Sequence, residues 1–204
     1  PFVRGLDEKP VKWVEIAPFV WRNPDGHERL AAKLVDGKVV RWSVDSSSPF
    51  MMFDRAPARL SSAWLLPAFY ASLAVLLLSV LQWPVAALVR RRYKAPLTFS
   101  RPALRACRGA RIGAVLVPAL LGLWLFGFSF TETGAYSWLL WLLQIGGLVI
   151  LVGGVVLAAW NLRFALSEKR GWFARLWSVL LLLAMLLVLY VAWSFGLLAM
   201  TVHY

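Results

Sequence analysis

Acyl-transfer chemistry needs a nucleophile with a base within reach, so the serines are the first residues to inspect. No serine has a lysine three residues later, the Ser-x-x-Lys spacing that places the amine one helical turn beyond the nucleophile. The nearest case pairs Ser167 with Arg170, and a guanidinium does not give up its proton near neutrality. Tyr-x-Asn, Lys-Thr-Gly and Gly-x-Ser-x-Gly are absent. His27 beside Glu28 reads as a surface pair rather than an acid/base couple, and His203 stands alone near the end. Two distant histidines make no metal cluster. Cys107 is the single cysteine, so no intrachain disulfide forms, and it is given no role. No catalytic, cofactor-binding or metal-ligating residue is assigned, and no cofactor is expected.

The elements that would have to position such residues are mostly apolar. The chain is 60% hydrophobic and 16% charged, where a soluble domain is about half apolar and a quarter charged. Residues 1–62 carry ten Lys/Arg and eight Asp/Glu; residues 63–204 carry twelve Lys/Arg and two acids. The net positive charge therefore lies between apolar runs, which points to a membrane protein and away from a nucleic-acid partner.

Four runs are long enough to cross a bilayer: 63–89, 112–130, 138–160 and 176–200. None contains a charged residue. The stretch after the first holds Arg90, Arg91, Arg92, Lys94, Arg101, Arg105, Arg108 and Arg111. The stretch after the third holds Arg163, Lys169, Arg170 and Arg175, whereas the stretches after the second and fourth hold no Lys or Arg. The positive-inside rule then makes 90–111 and 161–175 cytoplasmic and leaves 1–62 and the C-terminus outside. Trp64, Trp83, Tyr136, Trp138, Trp160 and Trp177 fall near the run ends, as an aromatic belt requires.

Within the runs, Gln144 is the most polar residue, with Ser79 and Ser194 as weaker company. The absence of ionisable residues disfavours an ion or proton pathway. Gly146, Gly147, Gly153 and Gly154 recur at a spacing of seven, and small residues let helices approach closely. Pro67, Pro84 and Pro118 are candidate kinks. Ser100 is a candidate N-cap ahead of Pro102, opening a helix on which Arg101, Arg105 and Arg108 form a stripe. That stripe reads as arginines near anionic headgroups, or as a docking site for a cytoplasmic partner.

The extracytoplasmic stretch has a different grammar. "NPDG" at 23–26 and "DG" at 36–37 are turn signals that predict three strands, roughly 12–22, 27–35 and 38–44. A strict two-residue turn at Asp36–Gly37 would pair Ala32 with Arg41 and mix the faces of the sheet. A bulged or three-residue turn, pairing Ala32 with Trp42 and Leu34 with Val40, is therefore expected. Phe50, Met51, Met52 and Phe53, in the linker 46–62, are expected to dip into the interface or to cover the sheet. Such a meander is marginal alone, so 1–45 reads as the tail of a larger exported domain. Residue 1 is Pro, with no basic leader running into an apolar segment, which fits a piece of a longer chain.

The stretch "PFVWRNPDGHERLAAKLVDGKVVRWSVD", followed by "PFMMFDRAP" and several spans, resembles the tail of membrane-anchored serine hydrolases related to class C beta-lactamases and penicillin-binding proteins. The likeness covers the β segment and the first span; the later spans match only in hydrophobic pattern. It implies an exported catalytic domain upstream in the same polypeptide, then a small β-rich segment, then a helical membrane domain. The fold expected is thus mainly α, four transmembrane helices at 63–204 preceded by a small antiparallel β-meander. The function expected is non-catalytic anchoring of a serine hydrolase or peptidase in the bacterial inner membrane, with the lipid bilayer and the upstream hydrolase domain as partners. The alternative is an independent four-helix inner-membrane adaptor or assembly subunit with a small outer domain.

Overall fold

The computed structural model describes residues 2–4, 10–45, 52–94, 99–128 and 137–198. They divide between Ser61 and Ser62 into a β unit and a helical unit. In the β unit, β1 (Phe2–Arg4) pairs antiparallel with β2 (Pro10–Lys12). A second sheet runs in chain order through β3 (Val14–Ala17), β4 (Val20–Arg22), β5 (Arg29–Val35), β6 (Lys38–Val44) and β7 (Phe53–Asp54), all antiparallel. The expected meander is present, with more strands than its turn signals announced.

The strand expected over 12–22 is a hairpin folded at Pro18–Phe19, with Ala17 paired to Val20. Pro18 has a fixed φ and no N–H to give a ladder. Phe19 has φ 63°, and its N–H donates to Glu15 Oε1 at 3.1 Å. The "NPDG" turn forms as expected, with Asp25 N donating to Asn23 Oδ1 at 3.1 Å. Asp36 and Gly37 both take positive φ (52° and 72°), the pattern of a two-residue type I′ turn. The expected bulge exists, one step inside the strand: Lys33 faces Arg41 and Leu34 faces Val39, so Val40 is the extra residue. Ala32 faces Trp42, as burial demands, while Leu34 takes Val39 rather than Val40.

β7 completes the sheet through side chains as well as backbone. Phe53 stacks on Trp42 with ring centroids 4.4 Å apart, so it covers the sheet. Asp54 accepts from Arg41 Nε and Nη2 at 2.6 and 3.1 Å. This hydrogen-bonded pair holds the Asp54 carboxyl below its ordinary range and the Arg41 guanidinium above its own. Phe50 and Met51 lie outside the described residues.

The helical unit is α1 (Ser62–Tyr93), α2 (Arg101–Phe128), α3 (Ser137–Ser167) and α4 (Trp172–Ser194). Each is long and apolar enough to cross a bilayer, with mean hydropathy from 1.8 to 2.5. Even α4, at 23 residues, spans about 35 Å against a hydrocarbon core of about 30 Å. Only 22% to 33% of each apolar window is buried within the chain. In water that much exposed apolar surface would aggregate; in lipid it is what the solvent requires. Pro67, Pro84 and Pro118 all lie inside unbroken helices.

Neighbouring helices run antiparallel, as the facing pairs Trp124–Gly147 and Gly113–Gly154 show for α2 and α3. The buried face of α2 reads Ala103, Ala106, Ala110, Ala114, Val117, Leu120 and Trp124. That is a near-heptad stripe, small toward the N-terminus and bulky toward the C-terminus. Gly147 and Gly154 line the seam facing it, as expected: a Cβ on Gly147 would stand 2.7 Å from Trp124 Cζ2. Gly146 and Gly153, one residue earlier in each case, have nothing within 4 Å and take no part in it.

Candidate functional site

A cluster of polar side chains of the helical unit lies where α1 gives way to α2 and α3 to α4. Ser100 caps α2 as expected, its Oγ accepting from Ala103 N at 3.4 Å. The same hydroxyl donates to Glu168 Oε1 at 2.6 Å, tying the start of α2 to the end of α3. α3 ends in a Schellman arrangement, with Lys169 N donating to Leu166 O and Arg170 N to Ala165 O. Its left-handed position holds Lys169 (φ 46°), where glycine is the usual residue. The turn directs Arg170 back over the bundle. Its guanidinium lies 4.1 Å from the Phe99 ring centroid, and Nη2 donates to Glu168 Oε2 at 3.2 Å. The hydrogen bond from the Ser100 hydroxyl above all holds the Glu168 carboxyl below its ordinary range against desolvation, with a lesser contribution from Arg170.

Behind Arg170 is a cavity of about 210 Å³. Three arginines line it: Arg90 from α1, Arg111 from α2 and Arg170. Arg111 also lies over Trp83, 5.8 Å from the ring centroid. The inner wall is polar. Asn161 Nδ2 donates to Ser178 Oγ at 3.1 Å, and Trp177 Nε1 donates to Ser79 Oγ at 3.0 Å. The two hydroxyls in turn donate to Ala174 O and Val75 O, each at 2.8 Å. Ser79, noted in the sequence, thus belongs to this wall. Asn161 is 6% exposed and its Oδ1 has no partner. The Arg170 side chain is 10% exposed, and its Nε is also buried without a partner. Neither Arg90 nor Arg111 has a carboxylate partner among the described residues. A groove between α1 and α2 shares Trp83, Arg90 and Arg111 with the cavity and adds Arg108 and Ile112.

The residues singled out in the sequence fall elsewhere. Arg101, Arg105 and Arg108 are exposed, and of the three only Arg108 reaches the groove. Gln144 is on α3, away from the cavity, with Oε1 buried and unpartnered. Ser167 donates its hydroxyl to Arg163 O at 2.9 Å, so Ser167 and Arg170 form no couple. His27 is exposed on the turn before β5. Cys107 is half-buried in the cavity wall, and His203 lies outside the described residues. No group of three or more His, Cys, Asp or Glu could hold a metal among the described residues. Asn161 was missed because it follows the last apolar residue of its run. α3 does not stop there; it continues to Ser167 and carries Asn161 into the interior.

Comparison with protein-family models, curated proteins and solved structures gave no match. What the site can do follows from its own groups. It offers guanidinium donors, one amide acceptor and aromatic walls, groups whose chemistry suits an anion. The 204-residue chain is accordingly expected to be inert toward fluorophosphonate and β-lactam probes. Mass spectrometry after probe treatment checks this, and an adduct on any serine of the chain would refute it.

Proposed function

We propose that the chain is a non-catalytic membrane-anchoring module of the bacterial inner membrane. It tethers the β-rich segment 1–62 to the outer face through four helices. The observation that carries this reading is the combination of four apolar helices, mostly unburied within the chain, with the Lys/Arg of residues 63–204 confined to 90–111 and 161–175, the stretches after the first and third apolar runs. On the resemblance stated above, the anchored cargo is an exported serine hydrolase or peptidase related to class C beta-lactamases, encoded upstream in the same polypeptide. One observation favours the adaptor alternative: β7 closes the sheet by its own Trp42–Phe53 stack and Arg41–Asp54 pair, as a self-contained outer domain would. The upstream reading frame separates the two. A Ser-x-x-Lys-bearing domain supports the hydrolase anchor; a start codon and short leader support the adaptor.

Orientation is tested by thiol labelling in a Cys107→Ser background. Asp25→Cys and Gly134→Cys are expected to react with a membrane-impermeant maleimide in intact spheroplasts. Arg101→Cys is expected to react only after permeabilisation. Labelling of Arg101→Cys in intact spheroplasts would sink the topology.

A further inference from the structure

The anchoring reading leaves the arginine cavity unused. A helix bundle held by apolar packing has no need of buried guanidinium and amide groups, which are costly in a membrane unless matched by a partner. Three guanidiniums converge on one cavity, and Glu168, the nearby carboxylate among the described residues, already accepts from Ser100 and Arg170. Arg170 Nε is a buried donor and Asn161 Oδ1 a buried acceptor, both unpartnered. A ligand that matches both must carry an anionic oxygen and also an O–H or N–H group. At about 210 Å³ the cavity admits a group of several heavy atoms, smaller than a drug-sized molecule.

We propose that this cavity is a binding site for a phosphate that carries a hydroxyl donor, and that the phosphate is that of an anionic phospholipid headgroup. Guanidinium groups match phosphate oxygens through paired charge-assisted hydrogen bonds. The lipid source follows from the groove between α1 and α2. It shares Trp83, Arg90 and Arg111 with the cavity and reaches Ile112, which is 53% exposed. Val115 and Leu116, one turn further along α2 from Ile112, are also exposed, so acyl chains leaving the groove meet apolar helix surface. A headgroup then enters from the side while its tails remain in the bilayer. The hydroxyls of a phosphoglycerol headgroup supply the donor that Asn161 Oδ1 lacks; a choline headgroup has none to offer. The inference requires the helical unit to be in a bilayer but depends on neither its orientation nor the identity of its cargo.

The test uses the full chain in neutral detergent, with three probes: phosphatidylglycerol, phosphatidylcholine of the same acyl chains, and inorganic phosphate. Bound lipid is counted by native mass spectrometry, and N-ethylmaleimide alkylation of Cys107, the native thiol in the cavity wall, reports occupancy. Phosphatidylglycerol is expected to bind at least tenfold more tightly than phosphatidylcholine and to slow Cys107 alkylation several-fold. Arg170→Gln is expected to abolish that preference, whereas Arg105→Gln, an exposed arginine outside the cavity, should keep it. Asn161→Leu is expected to weaken phosphatidylglycerol alone. The alkylation arm needs no variant and stands even if Arg170→Gln fails to fold. Equal binding of the two lipids, or unchanged Cys107 reactivity at saturating phosphatidylglycerol, would overturn the site. Protection of Cys107 by inorganic phosphate equal to that by phosphatidylglycerol would keep the anion site and overturn its lipid assignment.

Discussion

Gly147→Leu is expected to destabilise the helical unit by about 1–3 kcal/mol or more, the range for overpacking a close-packed seam. A Cβ alone at this position would stand 2.7 Å from Trp124 Cζ2 and 3.5 Å from Leu198 Cδ2. Trp124 is 6% exposed, so its rigid indole has little room to withdraw. Even Gly147→Ala should therefore be felt. Gly154→Leu is expected to cost less. Its Cβ would meet Met185 Sδ at 3.3 Å, and a thioether side chain adapts more readily than an indole. Gly153→Leu, with open space around the glycine, should be neutral or slightly stabilising through helix propensity. Val149→Ala, at a 66% exposed position, is a second control. Thermal unfolding of the five variants in one detergent ranks them. Equal midpoints would show that no glycine seam joins α2 to α3.

The same seam shows how far residue patterns reach. The recurrence of small residues at seven on α3 exposed the packing face, because close approach in lipid leaves a mark in composition. It did not separate Gly147 from Gly146, since that choice depends on the rotation of the helix and one position turns it by about 100°. Span number was legible because lipid excludes charge over some twenty residues at a time. The bulge at Val40 was legible because an alternating strand must keep Trp42 and Ala32 on one face. The hairpin at Pro18–Phe19 was hidden: the φ-positive position holds Phe, which no turn preference marks. The cavity was hidden for a related reason. Arg90 and Arg111 come from opposite ends of one stretch and Arg170 from another, and each looks like an ordinary topogenic charge. What brings Arg170 inward is a left-handed Lys169, again a conformation its residue type does not advertise. Burial of Asn161 depended on α3 outrunning its apolar run, which hydropathy alone does not report.

Leu30→Ala is expected to unfold the β unit locally, at a cost of about 2–5 kcal/mol for a large-to-small change in a buried site. Leu30, at 6% exposed, is with Trp13 (7%) one of two buried apolar side chains among the described residues of this unit. It faces Trp21 on β4 and Val44 on β6, so it is the point where the central strands share one apolar face. The strands around it are two to seven residues long and offer little reserve elsewhere. A loss of that size is comparable to the whole stability such a sheet can have. Val40→Ala, at the exposed bulge, removes a side chain that is already 42% exposed and should change little. Trypsin reads the difference, because Lys33 and Arg41 lie inside β5 and β6 and become cleavable only when those strands separate. Cleavage there should accelerate more than about tenfold in Leu30→Ala while the far-UV helix signal stays as it was. Unchanged protection of Lys33 and Arg41 in Leu30→Ala would mean that the sheet is held by something other than the Leu30 face, and Trp13, the other buried apolar side chain among the described residues of this unit, becomes the residue to examine.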